Sequence, residues 1–321
     1  MNIAFAGFRH SHIYGLYHTA QSNREVNITG CFEENEAARI AAEKEIGRSF
    51  TYQTYEEILE DTQVDTIAIG DYFQKRGQMV IAALRHGKHV ICDKPICTSM
   101  AELEEIEQLS EEKNLQVCCM LDLRYMPQVQ KAREILESGE LGSIYTASFT
   151  GQHPLNYENR PRWYFEEGKQ GGTINDIAIH GIDLLRLLTG KNLTKIHCAR
   201  TWNAYANEAP NFKDCGQFMI EMEDMAVMAD VSYAAPVYQG TLPTYWDFHF
   251  WGTKGMMNFR LSENTIHIFK DTEEIIECAP IAIGYLADLI LETKGIATMM
   301  NTKDILESQR QVLLVQEAAE K

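Results

Sequence analysis

The chain is expected to fold as an α/β protein with two parts: an N-terminal Rossmann-type doubly wound parallel sheet, and a C-terminal α+β domain on a large, mostly antiparallel open sheet. Three observations lead there. Through the first third, short apolar segments of strand length alternate with amphipathic segments of helix length. Beyond it, strand-like segments follow one another with turn residues between them. At 321 residues the chain also exceeds the usual size of one domain.

Taken in order, IAFAGF is a strand entering a tight turn, and HIYGLYHTAQS has helical spacing. VNITGCFE reads as a second strand, and ENEAARIAAEKEIG as a helix closed by Gly47 in the C-terminal cap position. YEEILEDTQ is a short helix, VDTIAIGDY a buried strand, and GQMVIAALRHG a helix ending at Gly87. KHVICDKP is a strand, AELEEIEQLSEEKN a polar-faced helix, and LQVCCMLD the last strand of this series. Strands joined through helices need right-handed crossovers and give a parallel sheet covered on both faces. This first domain is assigned to residues 1–121. In residues 122–321 the helices MPQVQKAREILESGELG and GGTINDIAIHGIDLLRLLTG flank the first of the sheet strands, IYTASFTG. Seven further strand-like segments run from TKIHCARTWNAYA to EEIIECA, and from Ala282 the chain is expected to return to helix. Their short connections favour antiparallel pairing.

Composition narrows the function. Apolar residues make up 45% and charged residues 23%, values that support a sizeable buried core. A net charge of −17 and a pI near 5.0 argue against a nucleic-acid or anionic-membrane partner, since phosphate surfaces select basic proteins. No apolar run reaches the ~18 residues of a membrane span, and no stretch at the start has the pattern of a secretory leader. The eight cysteines are scattered, without C-x-x-C pairs, and read as reduced, mostly buried thiols of a cytoplasmic protein.

The turn Gly7-Phe8-Arg9-His10-Ser11-His12 sits where a dinucleotide fingerprint would stand, yet only Gly7 matches it; Arg9 and His12 hold the other glycine places. Any doubly wound protein could begin this way. Position favours a cofactor site, because ligands of such sheets lie outside the carboxyl ends of the strands. A helix N-terminus there offers N–H groups to a pyrophosphate, and Arg9 and Ser11 add a guanidinium and a hydroxyl. Glu33 and Glu34 stand at the end of the second strand, where a carboxylate accepts bonds from a ribose diol and repels a 2′-phosphate. NAD is therefore expected over NADP. Lys94 ends a buried strand beside Pro95, and partial burial would make it a useful proton donor. Asp176 and His180 are four apart, so on a helix they share a face with Cβ atoms ~6 Å apart. The pair suits proton exchange with a hydroxyl; it could equally be a surface pair or two ligands of a metal, but no further ligands stand nearby and no metal site is expected.

With these motifs in view, the chain resembles the Gfo/Idh/MocA family of oxidoreductases over nearly its whole length. VDTIAIGDY with AALRHGKHVICDKPICTS is similar to that family's strand, helix and E-K-P segment, with Asp93 for the usual Glu. LDLRYMPQVQKAREILESGELGSIYTAS resembles its domain junction, GGTINDIAIHGIDLLRLLTG its G-G-x-x-x-D-x-x-x-H-x-x-D segment, and KDILESQRQVLLVQEAA its terminal helix. The resemblance implies an NAD-dependent dehydrogenase or reductase acting on a sugar, cyclitol or related small molecule, with Lys94, Asp176 and His180 in the catalytic places. It implies a cofactor site over the Gly7–His12 turn, Glu33, Asp71, Tyr72, Arg76, Asp93 and Lys94. The segment Asp71-Tyr72-Phe73-Gln74-Lys75-Arg76 departs from the family's T-P-N-x-x-H. Candidates for the substrate are Arg124, Tyr125, Gln152, His153, Tyr157, Arg160, Arg162, Trp163, Tyr164 and His180. WDFHFW is expected on the sheet's other face, which in this family often joins subunits, so a homodimer or homotetramer is implied. Two alternatives stand beside this reading: a member that has lost catalysis and senses NAD, and an NAD-dependent glycosidase.

Overall fold

The computed structural model describes residues 1–280 and 284–321, so Ala282 lies outside the described residues. The elements are β1 (Asn2–Ala6), α1 (His12–Ser22), β2 (Asn27–Phe32), α2 (Glu36–Ile46), α3 (Tyr55–Glu60), β3 (Thr66–Ile69), α4 (Phe73–Arg85), β4 (His89–Cys92), α5 (Met100–Lys113) and β5 (Val117–Cys119). After them come α6 (Pro127–Glu137), β6 (Ile144–Pro154), α7 (Ile179–Thr189), β7 (Leu193–Trp202), β8 (Cys215–Met222), β9 (Met225–Ala235), β10 (Asp247–Gly252), β11 (Gly255–Arg260), β12 (Thr265–Phe269), β13 (Glu273–Glu277), α8 (Tyr285–Glu292) and α9 (Thr302–Ala319). They form two compact units.

The first unit comprises Met1–Met120, Pro161–Gly171 and Gly284–Gln309. Its sheet runs β2-β1-β3-β4-β5 with every pair parallel. Ile3–Ala6, Ile67–Ile69 and Val90–Cys92 are wholly buried, as continuous apolar strands covered on both faces must be. Helix ends follow local chemistry. The Asn35 side chain accepts the Ala38 N–H at the start of α2, and Gly47 closes that helix with left-handed φ.

The division is less simple than 1–121 and 122–321, and β5 explains part of it. As an edge strand it would expose backbone donors and apolar side chains. The C-terminal segment meets both needs: Thr302 Oγ1 accepts the Val117 N–H at 3.0 Å, and the Cys118 thiol donates to the Tyr285 carbonyl at 3.5 Å.

The second unit comprises Leu121–Arg160, Gly172–Ile283 and Arg310–Lys321. Its eight strands run β13-β12-β11-β10-β6-β9-β8-β7, antiparallel except for the β6–β9 pair. One face is filled by Phe149, Phe218, Trp246, Phe248 and Phe259, all nearly inaccessible, while Tyr145, Met219 and Met228 stand exposed on alternate positions. The alternation corrects the reading of WDFHFW. Trp246, Phe248 and Phe250 point into the core, whereas Asp247 and His249 line the open face. Seven of the eight free cysteines are buried and Cys198 is exposed. Among the described residues no helix is long and apolar enough to cross a membrane.

Candidate active site

In the first unit the site grows from the β1–α1 turn. Gly7 adopts φ +82°, and a Cβ there would meet the Asp71 backbone nitrogen at 2.6 Å, so glycine is required on both counts. The missing third glycine of the fingerprint is normally the point of close helix–strand approach. That duty has moved to Gly70 at the end of β3, where a Cβ would lie 2.6 Å from Ile13 Cβ. The turn is pinned by the His10 N–H bonded to the Gly70 carbonyl at 3.1 Å. It is walled by Trp163, which is 2% exposed and whose indole N–H donates to the Arg9 carbonyl at 3.1 Å. Phe73 packs edge-on against Trp163 at 4.9 Å, and Tyr164 stacks on it at 4.1 Å.

Among the described residues the N–H groups of Arg9, Ser11 and His12 make no backbone hydrogen bond within the turn. Those of Ser11 and His12 are orphan donors at the α1 N-terminus, and that of Arg9 precedes it. The Arg9 guanidinium lies 5.8 Å from the centre of the Tyr72 ring. Glu33 is buried and accepts the Phe8 N–H at 2.6 Å and the Asn35 N–H at 2.8 Å, so it braces the turn with one oxygen and its own loop with the other. Burial pushes its carboxyl up, only partly offset by those bonds. Phe8 is packed between Phe50 and Tyr14 and belongs to the core. Glu34 and Asp71 share Lys75, at 2.7 and 3.1 Å, which ties the ends of β2 and β3 to α4.

The carboxyl end of β4 is held unusually tightly. Arg76 is completely buried and donates to the Asp71 carbonyl at 2.7 Å, the Lys94 carbonyl at 2.6 Å, the Pro95 carbonyl at 3.2 Å and Asp93 Oδ2 at 2.9 Å. Arg76 therefore shapes the site through the segment it fixes, rather than reaching a cofactor as the sequence suggested. Asp93 also receives His10 Nδ1 at 2.5 Å and His12 Nδ1 at 3.1 Å, while its Oδ1 accepts the Lys94 N–H at 2.8 Å. Burial opposes its charge, but His10, Arg76 and His12 hold the carboxyl well below the usual carboxylate range. Burial also lowers the His10 imidazole to about 4, so the neutral ring donates Nδ1–H to Asp93. Lys94 itself is 6% exposed and joins Pro95 through a cis peptide.

In the second unit Asp176 sits in a π-helical turn, Ile174–Ala178, that runs directly into α7 and His180. The sequence implied a plain α-helix here; π turns inserted in helices recur at functional sites. Both residues are buried, and the Tyr233 hydroxyl donates to Asp176 Oδ2. His180 lies edge-on to Trp246 at 5.7 Å, with Asp122 Oδ1 4.0 Å from its Nδ1. His153 completes an aromatic set with Tyr233, Tyr245 and Trp246. Tyr233 escaped the sequence reading and Trp246 was assigned there to the other face, because the sequence does not show which face of the sheet the helix covers.

Both parts of the chain match known families. Residues 1–121 match the model of the oxidoreductase family with an NAD-binding Rossmann fold, and residues 129–258 match the GFO/IDH/MocA C-terminal domain. The chain belongs to the Gfo/Idh/MocA family. Levoglucosan dehydrogenase of Pseudarthrobacter phenanthrenivorans is 27% identical over 175 residues, 53% of this chain and 44% of that protein. The NAD(+)-dependent scyllo-inositol 2-dehydrogenase of Bacillus subtilis is 31% identical over 147 residues, 44% of this chain and 40% of that protein. The chain thus spans about half the length of the curated relatives it matches. A levoglucosan dehydrogenase structure in complex with NADH and levoglucosan superposes with a TM-score of 0.81 at 19% identity, covering 100% of this chain and 97% of that one. At that identity it establishes the fold.

The family's NAD-binding domain is the first unit's sheet, and its residues fit the group. Orphan N–H donors and Arg9 suit a diphosphate, and the Glu33 oxygens keep lone pairs for a diol. Of the substrate candidates, Arg124 is buried in a two-point pair with Asp183 at 2.7 and 2.5 Å, which makes it a brace for α7. Gln152 donates to the Asp230 carbonyl and accepts from Ser232, so it secures β6 to β9. Arg160 caps the Leu155 and Pro154 carbonyls over the Tyr233 ring. Trp163 and Tyr164 belong to the turn's wall in the first unit. Tyr125 is buried, Tyr157 half-buried and Arg162 exposed.

Proposed function

We propose that this Gfo/Idh/MocA member is an NAD-dependent dehydrogenase or reductase acting on a CH–OH group of a sugar, cyclitol or related small molecule. The observation that supports it is the pairing of chemistry with burial: Lys94 and His180, a cation and a base, are each only 6% exposed. Such groups are kept out of water where they are used or firmly paired.

When bound, NAD supplies the acceptor for hydride. The chain's residues handle the oxygen and its proton. On oxidation His180 takes the hydroxyl proton, and on reduction it returns it. Lys94 donates a hydrogen bond to the same oxygen, stabilising the negative charge that develops as the C–H bond breaks. Asp176, held by Tyr233, orients the base. The Arg76–Asp93 bonds keep the Lys94 backbone from shifting, since small displacements at a reacting centre cost large factors in rate.

The experiment is a panel of sugars and cyclitols assayed for NAD reduction, with NAD affinity measured separately by fluorescence. Lys94→Ala is expected to lower kcat by about 10²-fold or more while NAD affinity stays within about threefold. NAD binding without turnover across the panel would instead support the NAD-sensing reading, which the replaced glycines and the fully internal Arg76 favour.

We also infer self-association through the open face of the eight-stranded sheet. That face holds a shallow, largely apolar depression of about 530 Å³ bordered by Cys198, Met219, Met228 and His249. Exposed apolar surface of this kind marks an interaction site.

A further inference from the structure

Two departures from the family pattern, His12 in a glycine's place and Asp93 in the glutamate's, meet at one point of the first unit, and His10 joins them. Each of the three side chains offers one ligand atom, and these atoms lie within 4.8 Å of one another. We propose that His10, His12 and Asp93 bind a divalent cation of the Zn²⁺ or Co²⁺ type.

Two imidazoles and one carboxylate form a donor set that suits borderline divalent metals. With metal–donor bonds of about 2.0–2.2 Å, adjacent donors stand about 3.0–3.5 Å apart. His10 Nδ1 and His12 Nδ1 already lie 2.5 and 3.1 Å from the two Asp93 oxygens. The His12 side chain is 43% exposed. On binding, each imidazole moves its proton from Nδ1 to Nε2, which leaves the Nδ1 lone pair for the metal.

The surroundings are those of a ligand set. Arg76 and the Lys94 N–H fix both oxygens of the carboxylate, the outer-shell support that metal-binding carboxylates generally have. The carboxylate and His10 are buried, while His12 opens to solvent and leaves an entry path with positions for water or an anionic oxygen. A plain hydrogen-bond network competes with this reading, and Arg76 cancels the Asp93 charge. The expected affinity is therefore micromolar, weaker than that of a structural zinc site. What favours the metal is His12. The Asp93 carboxylate, already served by His10, Arg76 and a backbone N–H, gains little from a fourth donor on a partly exposed ring.

The test uses the full chain after chelator treatment, titrated with Co²⁺ alone for visible d–d absorption and with Zn²⁺ alone by calorimetry. One ion per chain is expected. His12→Gln, at an exposed position, should weaken binding by at least about tenfold, and His12→Ala should do the same, with thermal unfolding confirming that both variants fold. His18→Gln, exposed on α1, should leave binding unchanged. Absence of saturable binding, or equal affinity in wild type and both His12 variants, overturns the proposal. Neither readout involves turnover, so the result is independent of the dehydrogenase reading.

Discussion

At the scale of single residues, Arg76 holds the carboxyl end of β4 from a fully buried position. A guanidinium can be fully desolvated only if its donors are met, and four acceptors from two separate segments, Asp71 and Asp93–Pro95, take its hydrogen bonds here. Arg76→Lys keeps the charge but loses the planar fork, leaving the Asp93 carboxylate and at least two carbonyls underserved. Urea unfolding should show a loss of about 3–5 kcal/mol; a loss under about 1 kcal/mol would mean the fork is not what holds this segment. Lys94, Asp176 and His180 stand in motifs whose spacing is visible in the sequence, and the catalytic roles proposed for them rest on that spacing. Their partners are not visible there. Tyr233 lies 57 residues from Asp176, and Asp93 lies 83 residues from His10, so only the folded sheet brings them together.

At the scale of elements, the degraded fingerprint is compensated by its neighbour. With His12 where a glycine would allow helix and sheet to approach, the approach is made at Gly70, one strand over. Gly70→Ala would press a methyl against Ile13 and the Gly7 carbonyl. It should destabilise the chain by about 1–3 kcal/mol and weaken NAD binding by shifting the turn. Calorimetric unfolding with a parallel NAD titration measures both effects, and a neutral variant would show that the turn has slack. Strands, helices and caps such as Asn35 and Gly47 could be read locally, because each depends on a few adjacent residues. The π turn at Ile174–Ala178 could not, since its sequence is also a good α-helix. Nor could the wall formed by Trp163, whose role depends on a segment returning to the first unit after β6.

At the scale of the molecule, the alternation of strand and helix foretold a parallel sheet, and the strand run foretold the antiparallel one. The composition of the two units was less legible, since Pro161–Gly171 and Gly284–Gln309 belong with the first unit and carry no local mark of it. The open sheet face predicts a dimer or tetramer; light scattering at micromolar concentration should give at least twice the 36.6 kDa chain mass, and Met228→Glu should reduce it. Hydride transfer is tested most directly by following the hydrogen itself. Polyols from the sugar and cyclitol panel, deuterated at the carbinol carbon, are incubated with the enzyme and NAD, and the cofactor is analysed by mass spectrometry. Deuterium from the substrate carbon is expected on the reduced nicotinamide, and almost none with Lys94→Ala or His180→Asn. Nicotinamide that stays oxidised across the panel while bound, or that cycles without net reduction as a glycosidic bond is cleaved, would contradict the dehydrogenase reading.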